Sequence, residues 1–376
     1  MITTAVILAG GKGERMLPIT ECQPKALVPI FGVPIIKCQI DQLIRLGIEK
    51  IFILTGHLGN QIEDYIYAQN YLTEVICIQS NSDLGPGERV VNSLEDLPQD
   101  FILLYCDNFI PNDDLIRAQI HTTDEISLIL QRREKGNLRI NISGNAEYVQ
   151  EARSLDNPYV ELGYISMRSG MFREILMESG NINLSLKAFS KQYKIGFVEL
   201  KSNFQSVSDF ERYISQGLQG KIVILDRDGI LNKKMGPRKY LHSMDQLVYE
   251  NHNVETFAKL GELGYNFVVA SNQPGIATGE VSPAFLSELH QRMTSYLRDK
   301  GIHLLAFYVC NHHWDDMCEC RKPKPGLLNK ITLDFHLNAK ETVFVGDEDK
   351  DVEAAESAGM KGIKFPSEKF LEYFQT

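Results

Sequence analysis

The stretch KIVILDRDGILN, residues 221 to 232, decides the fold of the second half of the chain. Its apolar start predicts a buried strand over 221–226, and Gly229 then lets the backbone turn. Asp226 and Asp228 therefore follow the carboxyl end of a strand, which is the edge where open α/β sheets bind ligands. Two such carboxylates can act as a nucleophile and as a proton donor, although aspartate and glycine also form ordinary loops.

Three further segments of the second half carry residues suited to phosphate chemistry. VVASNQPGI places Ser271 after a strand, CRKPKPG contains Lys322, and VFVGDEDKD supplies Asp347 with Asp351 behind it. A hydroxyl can bond a phosphate oxygen, a lysine can neutralise charge, and a carboxylate can bind a metal ion. Because parallel strands end at one edge of a sheet, we expect these side chains and Asp226 to meet there.

Both halves of the chain alternate short apolar runs with amphipathic segments. This alternation predicts mostly parallel sheets covered by helices, and hence two three-layer α/β domains. A polar, glycine-bearing junction separates the domains, which are predicted at 1–216 and 217–376. Strands are predicted at 4–9, 50–55, 74–78, 101–105 and 126–130, more weakly near Tyr164 and Gly196, and then at 221–226, 266–271, 305–309, 342–346 and 362–365. Helices are predicted at 34–46 and 61–68.

The motifs LDRDG, SNQPG, RKPKPG and VGDEDKD together resemble those of the haloacid dehalogenase (HAD) superfamily of Mg²⁺-dependent phosphatases, over residues 221 to about 366. The resemblance implies a parallel, Rossmann-like sheet, and the short gaps between the motifs leave no room for a large cap. It implies that Asp226 is the nucleophile and that Asp228 is the general acid and then the base. It also implies that Mg²⁺ is held by Asp226, Asp228 and Asp347.

By the same resemblance, Ser271 and Lys322 bind the phosphoryl group during its transfer. In-line phosphoryl transfer depends mainly on positioning and on neutralisation of charge. Substrate choice then falls to the loops at the edge of the sheet. The candidate substrate contacts are Asn272 and Arg321.

A cluster of soft metal ligands lies just before Lys322. Cys310, His312, Cys318 and Cys320 fall within eleven residues, in the stretch CNHHWDDMCEC. Three cysteines and one histidine complete a tetrahedral zinc shell, and a complete shell favours a structural rather than a catalytic metal. The alternative is a set of buried thiols. The stretch resembles the insert of a zinc-containing subgroup that holds heptose-1,7-bisphosphate 7-phosphatases and histidinol-phosphate phosphatases.

A glycine-rich loop follows the first predicted strand. The run LAGGKGERMLPIT places Gly10, Gly11 and Gly13 at the carboxyl end of that strand, with Arg15 and then Lys25 behind them. Glycines let the backbone approach a ligand closely and aim N–H groups at phosphate, and the two cations can neutralise a triphosphate. Taken alone, such a loop is as often only a tight turn.

The whole run, continued by PKALVPI, resembles the signature of sugar-1-phosphate nucleotidyltransferases, over residues 3 to about 213. The resemblance implies a Rossmann-like mixed sheet and an acceptor phosphate that attacks the α-phosphate of a nucleoside triphosphate. It implies that Asp107 holds Mg²⁺ and that Glu161 and Gly163 contact the sugar. Arg15 and Lys25 are then catalytic, and the nucleotide-binding residues are Leu8, Ala9, Gly10, Gly11, Gly13, Arg15 and Lys25.

Two segments depart from this family pattern. DLGPGERV stands where the family usually has LGTxGA, and Ser206 stands where a second metal-binding aspartate is usual. The lysine that contacts the sugar phosphate has no clear equivalent, and Arg153 is a candidate. The first half is therefore either a slow or altered transferase or a noncatalytic module that binds nucleotide sugars.

Composition limits the partners and the compartment. The 376 residues carry a formal net charge of −10, which argues against a nucleic-acid partner. The chain begins without a secretory signal pattern and has no apolar run that could span a membrane. Clustered cysteines favour a reducing, cytoplasmic setting over disulfides.

The two halves together predict a bifunctional enzyme of nucleotide-activated heptose synthesis. A 7-phosphatase that acts on heptose 1,7-bisphosphate makes the sugar 1-phosphate that a nucleotidyltransferase needs. GTP is the expected nucleotide, because the heptose-phosphate transferases that the first half resembles use guanine nucleotides. The alternatives are a phosphatase with a noncatalytic first half and a histidinol phosphatase joined to an unrelated transferase. Homo-oligomerisation is left open.

Overall fold

Apolar strands and amphipathic helices alternate along the chain, as the sequence predicts. The computed structural model describes residues 1–149, 153–236, 239–367 and 370–374. The strands are β1 Thr4–Ala9, β2 Pro29–Ile30, β3 Val33–Pro34, β4 Lys50–Thr55, β5 Glu74–Gln79, β6 Phe101–Tyr105, β7 Asn108–Phe109, β8 Ile126–Arg132, β9 Leu138–Ile140, β10 Ala146–Tyr148, β11 Tyr159–Met167, β12 Gly196–Glu199, β13 Gln205–Ser206, β14 Lys221–Leu225, β15 Tyr265–Asn272, β16 Leu304–Cys310, β17 Val343–Gly346 and β18 Lys361–Lys364.

Helices connect most of these strands. They are α1 Ile35–Arg45, α2 Gly59–Ala68, α3 Pro86–Asn92, α4 Asp113–Ile120, α5 Gly170–Ser179, α6 Ile182–Ser190, α7 Phe210–Ser215, α8 Asn251–Glu262, α9 Pro283–Asp299, α10 Gly326–Asp334 and α11 Asp349–Ser357. Short 3-10 turns occur at Glu14–Met16, Ile19–Glu21, Lys25–Leu27, Met244–Gln246, Trp314–Asp316, Ala339–Glu341 and Phe370–Phe374. None of the described helices has the length and apolar character needed to cross a membrane.

The first compact unit comprises Met1–Arg15, Pro24–Leu27 and Val33–Asp209. Its nine-stranded sheet runs in the order β10, β9, β11, β6, β1, β4, β5, and β8 links β11 to β12. β1 is parallel to β4 and β6, whereas β11 is antiparallel to β6, β8 and β9. The predicted mixed sheet is therefore confirmed.

The apolar run of β1 is buried on both faces of this sheet. Ala5 and Ile7 belong to one hydrophobic cluster, and Val6 and Leu8 belong to another. Successive side chains of a strand point to opposite faces, so a central strand between two helical layers needs an unbroken apolar run. The same burial fixes the point where the chain leaves the sheet, just before the glycine loop.

The second compact unit comprises Met16–Gln23, Val28–Gly32 and Phe210–Thr376. Its sheet has five parallel strands in the order β16, β15, β14, β17, β18. The predicted parallel α/β class is confirmed, and the connections carry no large inserted cap in the part of the chain that the structure describes. The proposed boundary after residue 216 remains a prediction.

The strand order brings the second-half motifs together. β14 lies between β15 and β17, with Leu225 opposite both Val269 and Val345. Asp226 is the first residue after β14, and Asp347 is the first after β17. Neighbouring parallel strands therefore deliver both aspartates to one edge of the sheet.

Candidate active sites

A buried lysine joins two carboxylates at the centre of the second unit. The Nζ of Lys322 lies 3.0 Å from Oδ1 of Asp226 and 2.8 Å from Oδ1 of Asp351. Asp226 is 6% exposed and Asp351 is fully buried. Charges in such a place are stable only as a paired set, because each alone would lose its hydration. The predicted pairing of Lys322 with the candidate nucleophile is present in the structure, while the catalytic roles remain predictions.

Burial and ion pairing shift the pKa values of Asp226 and Lys322 in opposite directions. Burial raises the pKa of Asp226, and the nearby Lys322 lowers it only in part, so the pKa lies above its ordinary value. Burial lowers the pKa of Lys322, but Asp226 and Asp351 outweigh that effect and raise it. Lys322 is therefore a permanent positive charge beside Asp226.

Asp228 is held by three neutral or cationic donors. Arg227 Nη2 donates to Asp228 Oδ2 at 2.9 Å, Asn232 Nδ2 donates to Oδ1 at 2.9 Å, and Gln273 Nε2 donates to Oδ2 at 2.7 Å. Burial raises the pKa of Asp228, but these partners outweigh it and hold the pKa below its usual value. No motif in the sequence indicates that Gln273 orients the predicted acid.

The backbone at Lys322 is fixed by a reciprocal pair of hydrogen bonds. Asn272 Nδ2 donates to the Lys322 carbonyl at 3.0 Å, and the Lys322 N–H donates to Asn272 Oδ1 at 3.1 Å. Asn272, predicted to contact substrate, thus also positions the lysine. The Ser271 hydroxyl, 1% exposed as a residue, accepts a bond from Gln273 Nε2 at 3.0 Å.

Three carboxylates form a candidate metal site. Oxygens of Asp226, Asp347 and Asp351 lie within 4.8 Å of one another. In the described part of the chain, the buried Oδ1 of Asp347 has no hydrogen-bond partner. Hard carboxylate oxygens around an unsatisfied buried acceptor fit Mg²⁺. The Asp228 carboxylate, bound to its three donors, lies outside this cluster, so that residue can serve only through its main-chain carbonyl.

Lys234 faces the same site from the loop after β14. Its Nζ lies 2.6 Å from Oδ2 of Asp347 and also pairs with Glu348. Lys350 pairs with Glu348 from the other side. Gly229 has φ of +87°, and a Cβ there would overlap Asp347. Glu348, which directly follows the predicted ligand Asp347, is thus balanced by two lysines that no sequence motif connects with it.

A cavity of about 560 Å³ opens over these groups. Among the described residues, its wall includes the predicted Asp226, Asp228, Ser271 and Asn272 but not Lys322 or Asp347, and it includes three lysines that were not predicted as site residues. Arg321, a predicted substrate contact, is not part of this wall among the residues that the structure describes. The lining residues are Asp226, Arg227, Asp228, Lys234, Met235, Gly236, Lys239, Tyr240, Leu241, Ser271, Asn272, Gln273, Glu348 and Lys350.

The four predicted zinc ligands converge. Their donor atoms lie within 4.8 Å of one another, with Cys310 Sγ 3.6 Å from Cys318 Sγ and His312 Nδ1 3.2 Å from Cys320 Sγ. A zinc–sulfur bond of about 2.3 Å in a tetrahedron places sulfurs about 3.8 Å apart, so the cluster fits zinc. His313 instead caps the Trp314–Asp316 turn, as its side chain accepts from the Asp315 N–H.

In the first unit, the predicted lysine and aspartate meet. Lys25 Nζ donates to Asp107 Oδ2 at 2.9 Å and to the Ser208 carbonyl at 3.2 Å. Both side chains are less than one-fifth exposed. The pair couples the candidate metal ligand to a candidate phosphate-binding cation at the carboxyl edge of β6.

Two adjoining cavities of the first unit share the glycine loop. One, about 260 Å³, is lined by Leu8, Gly10, Gly11, Arg15, Lys25, Leu84, Pro86, Arg89, Tyr105, Cys106 and Asp107. The other, about 510 Å³, is lined by Gly11, Lys12, Gly13, Glu14, Arg15, Lys25, Ser82, Asp83, Leu84 and Ser208. Of the predicted nucleotide-binding residues, Gly11, Arg15 and Lys25 line both cavities, Leu8 and Gly10 line the first, and Gly13 lines the second. The Ala9 side chain is instead buried in the core.

The predicted sugar contacts lie at an irregular part of β11. The register of this strand shifts between Glu161 and Ile165, and Gly163 has φ of +79°. The Gly163 N–H donates to Glu161 Oε1 at 2.5 Å. Burial, with a smaller contribution from Asp107, raises the pKa of Glu161 to about 7, although the Gly163 N–H and Arg153 oppose the rise.

Ser206 occupies a buried position beside the candidate metal ligand. Its Oγ donates to Asn108 Oδ1 at 2.8 Å, and the Val207 N–H donates to the Asp107 carbonyl at 2.9 Å. The pairing of β13 with β7 places Ser206 opposite Asn108, the residue that follows Asp107 in the chain. A serine at this position supplies no negative charge, so Ser206 does not replace the second metal-binding aspartate that is usual in the transferase family.

The fold and these two sites define a chain with a nucleotidyltransferase domain followed by a HAD-like phosphatase domain. The Nucleotidyl transferase family model matches residues 4–133, and the HAD-hydrolase-like model matches residues 319–371. The D-glycero-alpha-D-manno-heptose-1,7-bisphosphate 7-phosphatase of Photorhabdus laumondii is 32% identical over 147 residues, covering 37% of this chain and 79% of that protein. The chain belongs to this family of heptose-bisphosphate 7-phosphatases.

Two further proteins are similar to a comparable share of this chain. The histidine biosynthesis bifunctional protein HisB of Blochmanniella floridana is 30% identical over 148 residues, covering 39% of this chain and 42% of that protein. The crystal structure of D,D-heptose 1,7-bisphosphate phosphatase from B. bronchiseptica, complexed with magnesium and phosphate, is 32% identical with a TM-score of 0.36. It covers 38% of this chain and 78% of that chain.

Proposed function

We propose that the chain is a bifunctional enzyme of nucleotide-activated heptose synthesis. One domain hydrolyses the 7-phosphate of D-glycero-D-manno-heptose 1,7-bisphosphate, and the other transfers a nucleotidyl group to the heptose 1-phosphate. The observation that carries the proposal is the geometry around Asp226: Asp226 and Asp228 line one cavity, and the buried Lys322 lies 3.0 Å from Asp226. Membership of the 7-phosphatase family supports the substrate.

Phosphate transfer would begin at Asp226. A carboxylate oxygen of Asp226 forms a bond to phosphorus while the bond from phosphorus to the sugar oxygen breaks. Asp228 gives its proton to the departing sugar oxygen. The pKa of Asp228 lies below its usual value without substrate, but the negative charge of a bound phosphate favours the protonated carboxyl.

Hydrolysis of the aspartyl-phosphate would complete the cycle. A water oxygen bonds to phosphorus, the bond to Asp226 breaks, and Asp228 takes the proton of the water. Lys322 neutralises charge on the carboxylate and on the phosphoryl oxygens throughout. Mg²⁺ held by Asp226, Asp347 and the Asp228 carbonyl would supply further neutralisation of the phosphoryl charge.

The Cys₃His cluster supports a structural zinc site. A four-ligand shell leaves no open position for a reacting water. Cys320 precedes Lys322 by two residues, so a metal there would fix the loop that delivers this lysine to Asp226.

The first unit supports nucleotidyl transfer through its cations and its glycine loop. An oxygen of the sugar 1-phosphate forms a bond to the α-phosphorus, the bond to the bridging oxygen breaks, and pyrophosphate leaves. Arg15 and Lys25 would neutralise the triphosphate, and Asp107 would hold Mg²⁺. We propose GTP as the nucleotide by resemblance to guanylyltransferases, and a cytoplasmic location by composition.

A second candidate function keeps the phosphatase and makes the first unit a noncatalytic nucleotide-sugar module. Ser206 favours it, because no second carboxylate stands at that position beside Asp107. A histidinol phosphatase joined to an unrelated transferase is the third candidate, and the similarity to HisB motivates it.

One experiment separates these candidates. The protein is incubated with the heptose bisphosphate, Mg²⁺ and each nucleoside triphosphate in turn, and the products are identified by mass. The proposed function requires phosphate, pyrophosphate and a nucleotide heptose. Nucleotide binding without pyrophosphate would favour the noncatalytic module, and selective turnover of histidinol phosphate would favour the third candidate.

A further inference from the structure

A buried arginine lies beneath the glycine loop of the first unit. Arg89, on α3, is 2% exposed, and its guanidinium fills a slot between Gly10 and Gly56. A Cβ on Gly10 would overlap the guanidinium carbon, and a Cβ on Gly56 would lie 2.6 Å from Nη1 of Arg89. Two glycines in different loops thus leave room for one planar cation.

The guanidinium joins loops that are distant in sequence. Its Nη1 donates to the Thr55 carbonyl at 2.7 Å and to the Ser80 hydroxyl. Its Nη2 donates to the Gly10 carbonyl at 3.3 Å and to the Leu84 carbonyl at 3.0 Å. A guanidinium presents rigid N–H groups in one plane, so it fixes the Gly10 peptide relative to the ends of β4 and β5.

All these acceptors are neutral. Among the residues that the structure describes, no carboxylate forms an ion pair with Arg89. Burial lowers the pKa of Arg89, yet a guanidinium stays charged at neutral pH. A buried charge without a counter-ion is costly, which points to an anion as its missing partner.

The side chain also reaches the candidate nucleotide cavity. Arg89 lines the 260 Å³ cavity together with Arg15 and Lys25. Of these three cations, Lys25 already pairs with Asp107. Arg89 has no such carboxylate partner among the described residues, so its positive charge can act on an anion in the cavity that it lines.

We propose that Arg89 is a positioning residue for the phosphates of a nucleotide, acting through the Gly10 peptide that it clamps and through its unneutralised charge. The inference rests on the proposed nucleotide site of the first unit. It assigns a binding role to the segment GPGERV, which departs from the transferase pattern in sequence.

The test compares Arg89→Gln with the unaltered 376-residue chain. Calorimetric titration with inorganic triphosphate and with GTP, in Mg²⁺, measures the loss of affinity. We expect Kd for both probes to rise about tenfold, because hydrogen bonds to charged groups are typically worth that much. Arg89→Lys keeps the positive charge but not the planar guanidinium, so it should recover part of the lost affinity.

Arg173→Gln is the matched control. Arg173 of the same unit likewise donates to main-chain carbonyls, those of Pro98 and Leu94, but lies outside both cavities. Its substitution should leave both Kd values unchanged. If Arg89→Gln fails to fold, Ser80→Ala removes one acceptor of the guanidinium and should weaken binding in the same direction.

Three results are decisive. Unchanged triphosphate affinity in a folded Arg89→Gln, or in Ser80→Ala where that variant replaces it, overturns the inference. So does an Arg89→Lys variant that binds no better than Arg89→Gln. Failure of the unaltered chain to bind GTP, ATP, CTP, UTP or inorganic triphosphate would instead refute the proposed nucleotide site itself.

Discussion

Lys322 Nζ lies 3.0 Å from Asp226 Oδ1, although the two residues are 96 positions apart by their numbers. The lysine reaches the carboxylate from a loop that begins two residues earlier, at the last ligand of the Cys₃His cluster. The candidate nucleophile, its neutralising charge and the candidate zinc site are therefore one connected assembly in the second unit.

Single substitutions should separate the two activities. Asp226→Asn removes the attacking carboxylate and should reduce phosphate release by about three orders of magnitude or more, with pyrophosphate release intact. Lys25→Ala removes a cation from the first site and should impair only pyrophosphate release. Product assays on both variants measure this, and loss of both activities from either change would refute the model of two sites.

Removal of one zinc ligand should act on phosphatase activity through the loop. Cys318→Ser breaks the four-ligand shell, so bound zinc should fall and the loop carrying Lys322 should lose order. Elemental analysis and phosphate release measure the two effects. Cys77→Ser, outside the cluster, is the control. A zinc-free variant of intact fold that keeps full activity would disprove the link.

Lys234 should compete with the metal ion. Its Nζ lies 2.6 Å from Asp347 Oδ2, so a cation that binds this oxygen must displace the ammonium. Lys234→Met should therefore tighten Mg²⁺ binding by a few fold, about the value of one exposed ion pair. Calorimetric titration with Mg²⁺ measures Kd, and Lys233→Met, at an exposed neighbour, is the control. Weaker Mg²⁺ binding by Lys234→Met would contradict the competition.

Glu161 should make the first unit less stable as pH rises. Its pKa is about 7 in the folded chain and about 4.3 in an unfolded one, so between these values only the folded state retains the proton. Stability then falls as pH increases through this window. Glu161→Gln removes the titrating group, so it should raise Tm by a few degrees at pH 8 and much less at pH 4.

Calorimetry of the transition in which the first unit unfolds measures this difference in Tm at pH 8 and pH 4. Glu95→Gln, at an exposed glutamate, controls for the change of net charge. An equal shift of Tm at both pH values would show that the effect of Glu161 does not come from its ionisation.

Much of the fold followed from local sequence. The apolar run of β1 and the run before Asp226 predict their strands because a strand buried on both faces requires uninterrupted apolar residues. The order of the motifs also indicated that Asp226, Ser271, Lys322 and Asp347 would meet, since parallel strands end at one edge. The Cys₃His spacing also predicted a metal site, because its four ligands lie within one short stretch of the chain.

The sequence by itself determined the two α/β domains, the motif residues and the candidate zinc cluster. Only the tertiary structure decided what surrounds them: Gln273 on Asp228, Lys234 on Asp347, and Arg89 beneath Gly10. These partners carry no motif, because a side-chain contact across 45 to 113 residues depends on how strands and loops pack. Periodicity and spacing report local backbone geometry, whereas charge compensation in a buried site is set by packing in three dimensions.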